Sequence, residues 1–186
     1  MVGIARGAVA TLLPGAVKIQ EFVRGTADAL ATAGKPLWWN SPTGVLASNK
    51  YFEPDDWQPM LWIGGRPFRP KTVDGKPGTL DAGKCARAGA PNLIHSLDGS
   101  HLVFVALACA RAGIPLTTVH DSFAVPACYV DKLQEIWARE LRAMYGGNST
   151  VLNEIYDCAR RELGSDFLLP EIPQSGDLEL SEVRPN

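Results

Sequence analysis

Leu116-Thr117-Thr118-Val119-His120-Asp121-Ser122-Phe123-Ala124-Val125-Pro126 is the stretch on which the reading of this chain turns. Residues 116–119 are apolar and β-branched, and Phe123-Ala124-Val125 is strand-like again. Pro126 ends the second run, because a residue without an N–H cannot extend a ladder. The three polar residues between the runs, His120-Asp121-Ser122, predict a hairpin over 116–125 with a polar tip. An aspartate on such a tip is held rigidly with its carboxylate exposed. Magnesium uses sites of this kind, binding through one or two carboxylates plus substrate phosphates while keeping several waters. Aspartate and serine also favour turns for their own sake, so the three residues alone fit a plain polar turn equally well.

Outward from the hairpin, a helix over about 128–145 is expected, with Leu133, Ile136, Trp137, Leu141 and Met144 on one face and Gly146-Gly147 as its stop. Arg139, Arg142 and Tyr145 belong to its exposed side and end. A further helix follows over about 149–163, and residues 165–186 read as a Pro-rich, polar, extended tail on the surface. On the N-terminal side, a long helix is expected from Ser96 or Asp98 to Ala112, ahead of Gly113. Residues 80–90 read as a separate helical turn ending near Gly89. Two strand pairs are expected before that, within 37–52 around Ser41-Pro42-Thr43-Gly44, and over 59–63 and 66–73 around Gly64-Gly65. Pro14 opens a helix over about 15–33, and residues 3–12 read as a short helix.

The 186 residues, 46% hydrophobic, suffice for one core and favour one domain. A net charge of −2 announces no general basic character. Between Gly64 and Ala90, however, Arg66, Arg69, Lys71, Lys76, Lys84 and Arg87 face only Asp74 and Asp81. Such a strip suits a phosphate-tracking surface, or an ordinary solvated region. Cys85, Cys109, Cys128 and Cys158 are too widely spaced for a CxxC zinc or redox motif, which points to a reducing compartment. No apolar stretch reads as a membrane span, and the N-terminus is not signal-like, since Arg6 and Gly7 break it. His95, His101 and His120, with Asp98 and Asp121, crowd into one short window. Either they form a site, or His95 and His101 merely pack at a helix start.

Context favours the site. His95-Ser96-Leu97-Asp98-Gly99-Ser100-His101-Leu102, then a helix, then Val119-His120-Asp121-Ser122-Phe123 strongly resembles the end of the phage and mitochondrial single-subunit RNA polymerases. Lys35 to Gly44 resembles the family's stretch ending in Thr-Pro-x-Gly. Asp81-Ala82-Gly83-Lys84 with Ala90-Pro91-Asn92 resembles the lead into the histidine motif, and Leu169-Pro170, Pro173, Gly176, Leu178 and Leu180 resemble its tail. The resemblance covers nearly the whole chain.

The resemblance implies an α+β fold, a small antiparallel palm sheet with an Asp-bearing hairpin packed against several helices, with residues 1–186 as the C-terminal palm portion. It implies DNA-directed RNA synthesis by two-metal nucleotidyl transfer from NTPs to the RNA 3′-hydroxyl, with Mg2+ as cofactor. Asp121 would be a metal-binding catalytic aspartate. His120 would support that carboxylate or the local geometry. His95 is similar to a residue that contacts the minor groove near the growing RNA end, and Lys84 and Arg87 lie where contacts to a nucleic-acid backbone are expected. Partners would be a DNA template, nascent RNA, NTPs and an upstream fingers and palm portion, with no membrane. The expected setting is the cytoplasm of a phage-infected bacterium rather than a mitochondrion.

Three departures qualify this. The family's second metal aspartate and its nucleotide-selecting helix lie upstream, and nothing here matches them. Asp81 and Asp98 match positions that are not metal ligands. The chain ends Arg184-Pro185-Asn186 instead of in an aromatic foot. The chain is therefore expected to be inactive without an upstream portion and to expose apolar surface that this portion would cover. The alternatives are a catalytically inactive palm remnant that binds nucleic acid or polymerase, and a related DNA polymerase palm. The latter resemble His-Asp-Glu where this chain has His-Asp-Ser.

Overall fold

The computed structural model describes residues 11–53, 60–69, 78–146, 151–174 and 176. The expected helix over 3–12 falls almost wholly outside these, as do Lys71 and Lys76 of the basic strip. In chain order the elements are α1 (Pro14–Thr32), β1 (Leu37–Asn40), β2 (Leu46–Asn49), β3 (Leu61–Ile63), β4 (Arg66–Phe68), α2 (Ala82–Arg111), β5 (Thr117–Val119), β6 (Ser122–Ala124), α3 (Val130–Tyr145) and α4 (Val151–Leu163). A single 3-10 turn, Ala127–Tyr129, leads into α3. The α+β class is as expected. The strands, though, form three separate antiparallel hairpins, β1–β2, β3–β4 and β5–β6, and not one palm sheet.

The largest difference from the sequence reading is α2. A break was expected between a turn at 80–90 and a helix from Ser96, but one 30-residue helix runs through both, with Pro91 inside it. Its start is set by Asp81, whose Oδ1 accepts from the Lys84 amide at 2.8 Å, a cap worth about 1 kcal/mol. Pro91 has no N–H for the Arg87 carbonyl, a loss of roughly 3 kcal/mol in a helix interior. Burial outweighs it: Leu93 is fully buried and Leu97 nearly so, each contributing about 1.5–3 kcal/mol.

The helix also lacks a single apolar stripe, because it serves two cores in succession. Its first half turns Cys85, Gly89, Leu93 and Leu97 toward α1, β1 and β2. Leu93 and Leu97 join Phe22, Val23, Leu30, Trp39, Ile155 and Leu169 there. Its second half turns a rotated face, Val105, Ala108 and Cys109, toward Ile136 of α3 and the base of β5–β6. One consequence corrects the sequence reading. By length and composition alone α2 is apolar enough to cross a membrane; part of that apolar surface packs inside the fold, while Ile94, Val103 and Leu107 stay exposed.

Gly89 is not a stop. A Cβ at that position would lie 3.3 Å from both Ala27 Cβ and Val23 Cγ1, so glycine is what lets α1 cross α2 closely. A polar relay then pins the first hairpin to the helix. Trp39 Nε1 donates to Ser96 Oγ at 2.9 Å, and Ser96 Oγ donates to the Leu93 carbonyl. Buried Asn49 donates to the Cys85 carbonyl at 2.8 Å and accepts from Asn92.

The segment after α4 is not merely superficial. Leu169 enters the core, Pro170 sits against Gly25, and Arg160 Nη1 donates to the Ser165 and Phe167 carbonyls. Apolar side chains are left in solvent elsewhere, among them Trp62, Ile63, Val103, Leu107 and Val119, in keeping with the expected uncovered surface. Cys85, Cys109 and Cys158 are buried free thiols, and burial pushes each of them up from the ordinary thiol range.

Two glycines of α2 separate packing from propensity. Gly89→Leu is expected to lower stability by about 1–3 kcal/mol through overpacking at the crossing. Gly99→Ala, where a Cβ meets nothing within 4 Å, is expected to raise it by up to about 1 kcal/mol. Urea unfolding midpoints check both, and equal effects at the two positions would contradict the close crossing.

Candidate active-site hairpin

The hairpin β5–β6 pairs Thr117 with Ala124, Thr118 with Phe123 and Val119 with Ser122. That register leaves His120 and Asp121 as a two-residue turn. Two-residue hairpin turns need positive φ to match the strand twist, and glycine or asparagine normally supplies it. Here His120 does so, at φ 54°, and among the described residues no other non-glycine has positive φ. Histidine is one of the residues enriched in that region, but the conformation still costs roughly 1 kcal/mol. Local strain of this kind at an exposed turn is a pointer to function.

Asp121 is solvent-exposed, as are His120 and Ser122. Among the described residues neither Asp121 nor His120 engages in a hydrogen bond or ion pair, so the carboxylate oxygens stay available. Their chemistry, hard anionic oxygen, suits a magnesium ion. Their number does not suffice, since no group of three or more His, Cys, Asp or Glu side chains converges among the described residues. The residues present fit one side of a metal site and leave the other side to be supplied.

The continuity of α2 orders the remaining candidates. Lys84, Arg87 and His95 are all exposed. At 3.6 residues per turn they fall within about 80° of one another on one face, spread over roughly 16 Å of helix. Two separate helices would not have aligned them. Lys84 Nζ rests 5.0 Å above the centre of the Tyr51 ring. Arg87 borders an open cleft of about 280 Å³ between α1 and α2, which Arg24, Glu21 and Asp28 also line, so carboxylates temper its positive charge. Asp81 is consumed as a helix cap. Asp98 faces Tyr145, whose phenol is pushed up by burial first and by that carboxylate second. Arg139 pairs with its neighbour Glu140 at 2.7 Å, as an ordinary exposed helix face would.

His101 has a role that the sequence reading left open. It is buried, its Nε2 lies 3.0 Å from the Trp137 carbonyl, and its ring meets Trp137 and Phe123 edge-on. The spacing Leu97, His101, Val105, Cys109 carries the signal, because four-residue steps place the imidazole on the packed face. His95, one and two-thirds turns earlier, falls on the open face.

A protein-family model described as DNA-dependent RNA polymerase matches residues 4–184. The chain is 32% identical over 177 residues to the DNA-directed RNA polymerase of Pseudomonas phage phiKMV, covering 95% of this chain and 20% of that relative. It is 28% identical over 165 residues to the mitochondrial DNA-directed RNA polymerase 1 of Arabidopsis thaliana, covering 89% and 16%. It is 26% identical over 180 residues to the chloroplastic DNA-directed RNA polymerase 3 of Nicotiana sylvestris, covering 97% and 18%. The chain therefore spans about a fifth or less of the length of these relatives.

The left-handed residue in the turn can be tested on the chain itself. His120→Val is expected to lower stability by roughly 1–2 kcal/mol, since a β-branched residue resists positive φ, whereas His120→Asn should be nearly neutral. Thermal melting of the two variants measures this. Indistinguishable melting would mean that residue 120 does not hold the turn.

Proposed function

The chain belongs to the phage-type DNA-dependent RNA polymerase family, and from that premise we propose that it is the C-terminal catalytic palm portion of such an enzyme, active only with an upstream portion. The observation that carries the proposal is Asp121: an unpartnered carboxylate on a two-residue turn that includes the left-handed His120, with no group of three or more potential ligands converging among the described residues. A nucleotidyl transferase of the two-metal type needs fixed carboxylates at its ions. An upstream strand with a second aspartate would complete the pair.

In the reaction proposed, the RNA 3′-hydroxyl loses its proton to solvent, its oxygen bonds to the α-phosphorus of the incoming NTP, the α–β phosphoanhydride breaks, and pyrophosphate leaves. Mg2+, when bound, lowers the pKa of the 3′-hydroxyl and balances charge on the leaving group. Asp121 anchors that charge from the hairpin tip, and His120 fixes the direction of the turn. The exposed face of α2 holds nucleic acid: Lys84 and Arg87 lie against backbone phosphates, and His95 faces the minor groove near the RNA end. Phosphate contacts of this kind position the duplex without reading sequence. A template, nascent RNA and NTPs are the corresponding partners.

The test uses the chain assembled with an upstream polymerase portion bearing the second aspartate. RNA synthesis on a DNA template is expected only from the assembly. Asp121→Asn should reduce it by about a hundred- to a thousandfold with assembly intact, the scale expected when fixed electrostatic stabilisation of a transition state is removed. Undiminished synthesis by the Asp121→Asn assembly would instead favour a catalytically inert binding module.

A further inference from the structure

We infer that His101 is the positioning residue for the Asp121 turn, holding the hairpin through Phe123. This rests on the reading of Asp121 given above. The hairpin is a lever with very little anchorage. Across residues 117–124, Phe123 alone is withdrawn from solvent, and among the described residues no third strand pairs with β5 or β6. A lone two-stranded hairpin is at best marginally stable in water, so its direction must come from contacts at its base. Leu116, Phe123 and Val125 make them, packing against Val105, Cys109, Ile114 and Ile136.

His101 gives this anchorage a direction that plain hydrophobic packing would lack. The Trp137 carbonyl can only accept, so the imidazole Nε2, 3.0 Å away, carries the proton and donates it. That bond fixes the ring plane against α3. The ring edges then meet Trp137 at 5.1 Å and 79° and Phe123 at 6.5 Å and 73° between centroids and planes, the edge-to-face geometry that aromatic pairs prefer. Phe123 is two residues from Asp121, so its seat sets the carboxylate about 7 Å further along the strand. Since His101 also belongs to α2, the same residue ties the hairpin to the helix whose exposed face bears Lys84, Arg87 and His95. A small error at this pivot is magnified at the tip, and displacement of a reacting centre by about 1 Å can cost a hundredfold in rate.

His101→Leu keeps volume but removes the donor and the ring; His101→Gln restores an N–H where Nε2 stood. In the full chain, His101→Leu is expected to speed amide hydrogen exchange of residues 117–124 by about tenfold while α1 keeps its protection, and His101→Gln, which restores the donor but not the ring, should return part of it. In the assembly with the upstream portion, His101→Leu should lower kcat by about tenfold or more with KM for NTP nearly unchanged, again with recovery in His101→Gln. Wild-type hairpin exchange or wild-type kcat in a folded His101→Leu protein overturns the inference. If exchange rises throughout α1 as well, the variant has unfolded, and Phe123→Ala, at the helix-facing edge of the hairpin, takes its place. It must give the same hairpin-limited acceleration, and native protection in it overturns the inference equally. The exchange readout needs no metal or activity. Active Asp121→Asn would sink the metal reading while leaving the exchange result standing, so the two failures are distinguishable.

Discussion

Both halves of the molecule are held by one side-by-side arrangement, the seating of an uninterrupted α2 against α1 on one face and against α3 on another. The helix must pass Pro91 without breaking, and it does so because the leucines just beyond it are locked among α1, β1 and α4. Everything with chemical interest depends on that continuity. It lines up three exposed side chains, Lys84, Arg87 and His95, along one edge, and it delivers His101 to the underside of the β5–β6 hairpin. Were the helix to end near Gly89, the close crossing with α1 would be lost and the two ends would have no fixed relation.

The hairpin itself is a different kind of object. It is short, nearly all exposed, and among the described residues no other strand pairs with it. Its tip spends energy on a left-handed histidine and leaves a carboxylate without a partner. Isolated, these choices gain nothing for stability. They suit a carboxylate presented to solvent, with aromatic contacts beneath the hairpin at Phe123. The exposed apolar side chains on β3, on β5 and along α2 are the surface that the proposed upstream portion would cover.

Much of this was readable from residues alone, and the failures have physical causes. The hairpin at 116–125 follows from β-branched residues on both sides of a polar break, and α1, α3 and α4 follow from their apolar periodicity and glycine or proline ends. The first two strand pairs follow from turn chemistry at Thr43-Gly44 and Gly64-Gly65. What failed was α2, because Pro91 and Gly89 look like punctuation and because a helix that serves two cores shows no single stripe. Tertiary burial overrode both signals. Whether three strand pairs share one sheet is a non-local fact that no local pattern carries, and the expected single palm sheet is three hairpins. At the candidate site, the turn that carries His120 and Asp121 was legible from the polar break between the two strands, while the roles given to these residues are part of the proposal. The division of labour between His95, on the open face, and His101, on the packed one, was not drawn from the sequence, although the four-residue spacing contained it.

The most direct measurement of the central idea replaces Mg2+ by Fe2+ in the assembly of this chain with an upstream polymerase portion and maps where hydroxyl radicals generated at the metal cut the polypeptide. A carboxylate that binds the ion takes the damage within a few ångströms of it. Cleavage of this chain should therefore centre on residues 120–122, should be competed by Mg2+, and should fade in Asp121→Asn. An assembly that is cut efficiently in its upstream portion, with the 120–122 turn left whole, would contradict the account.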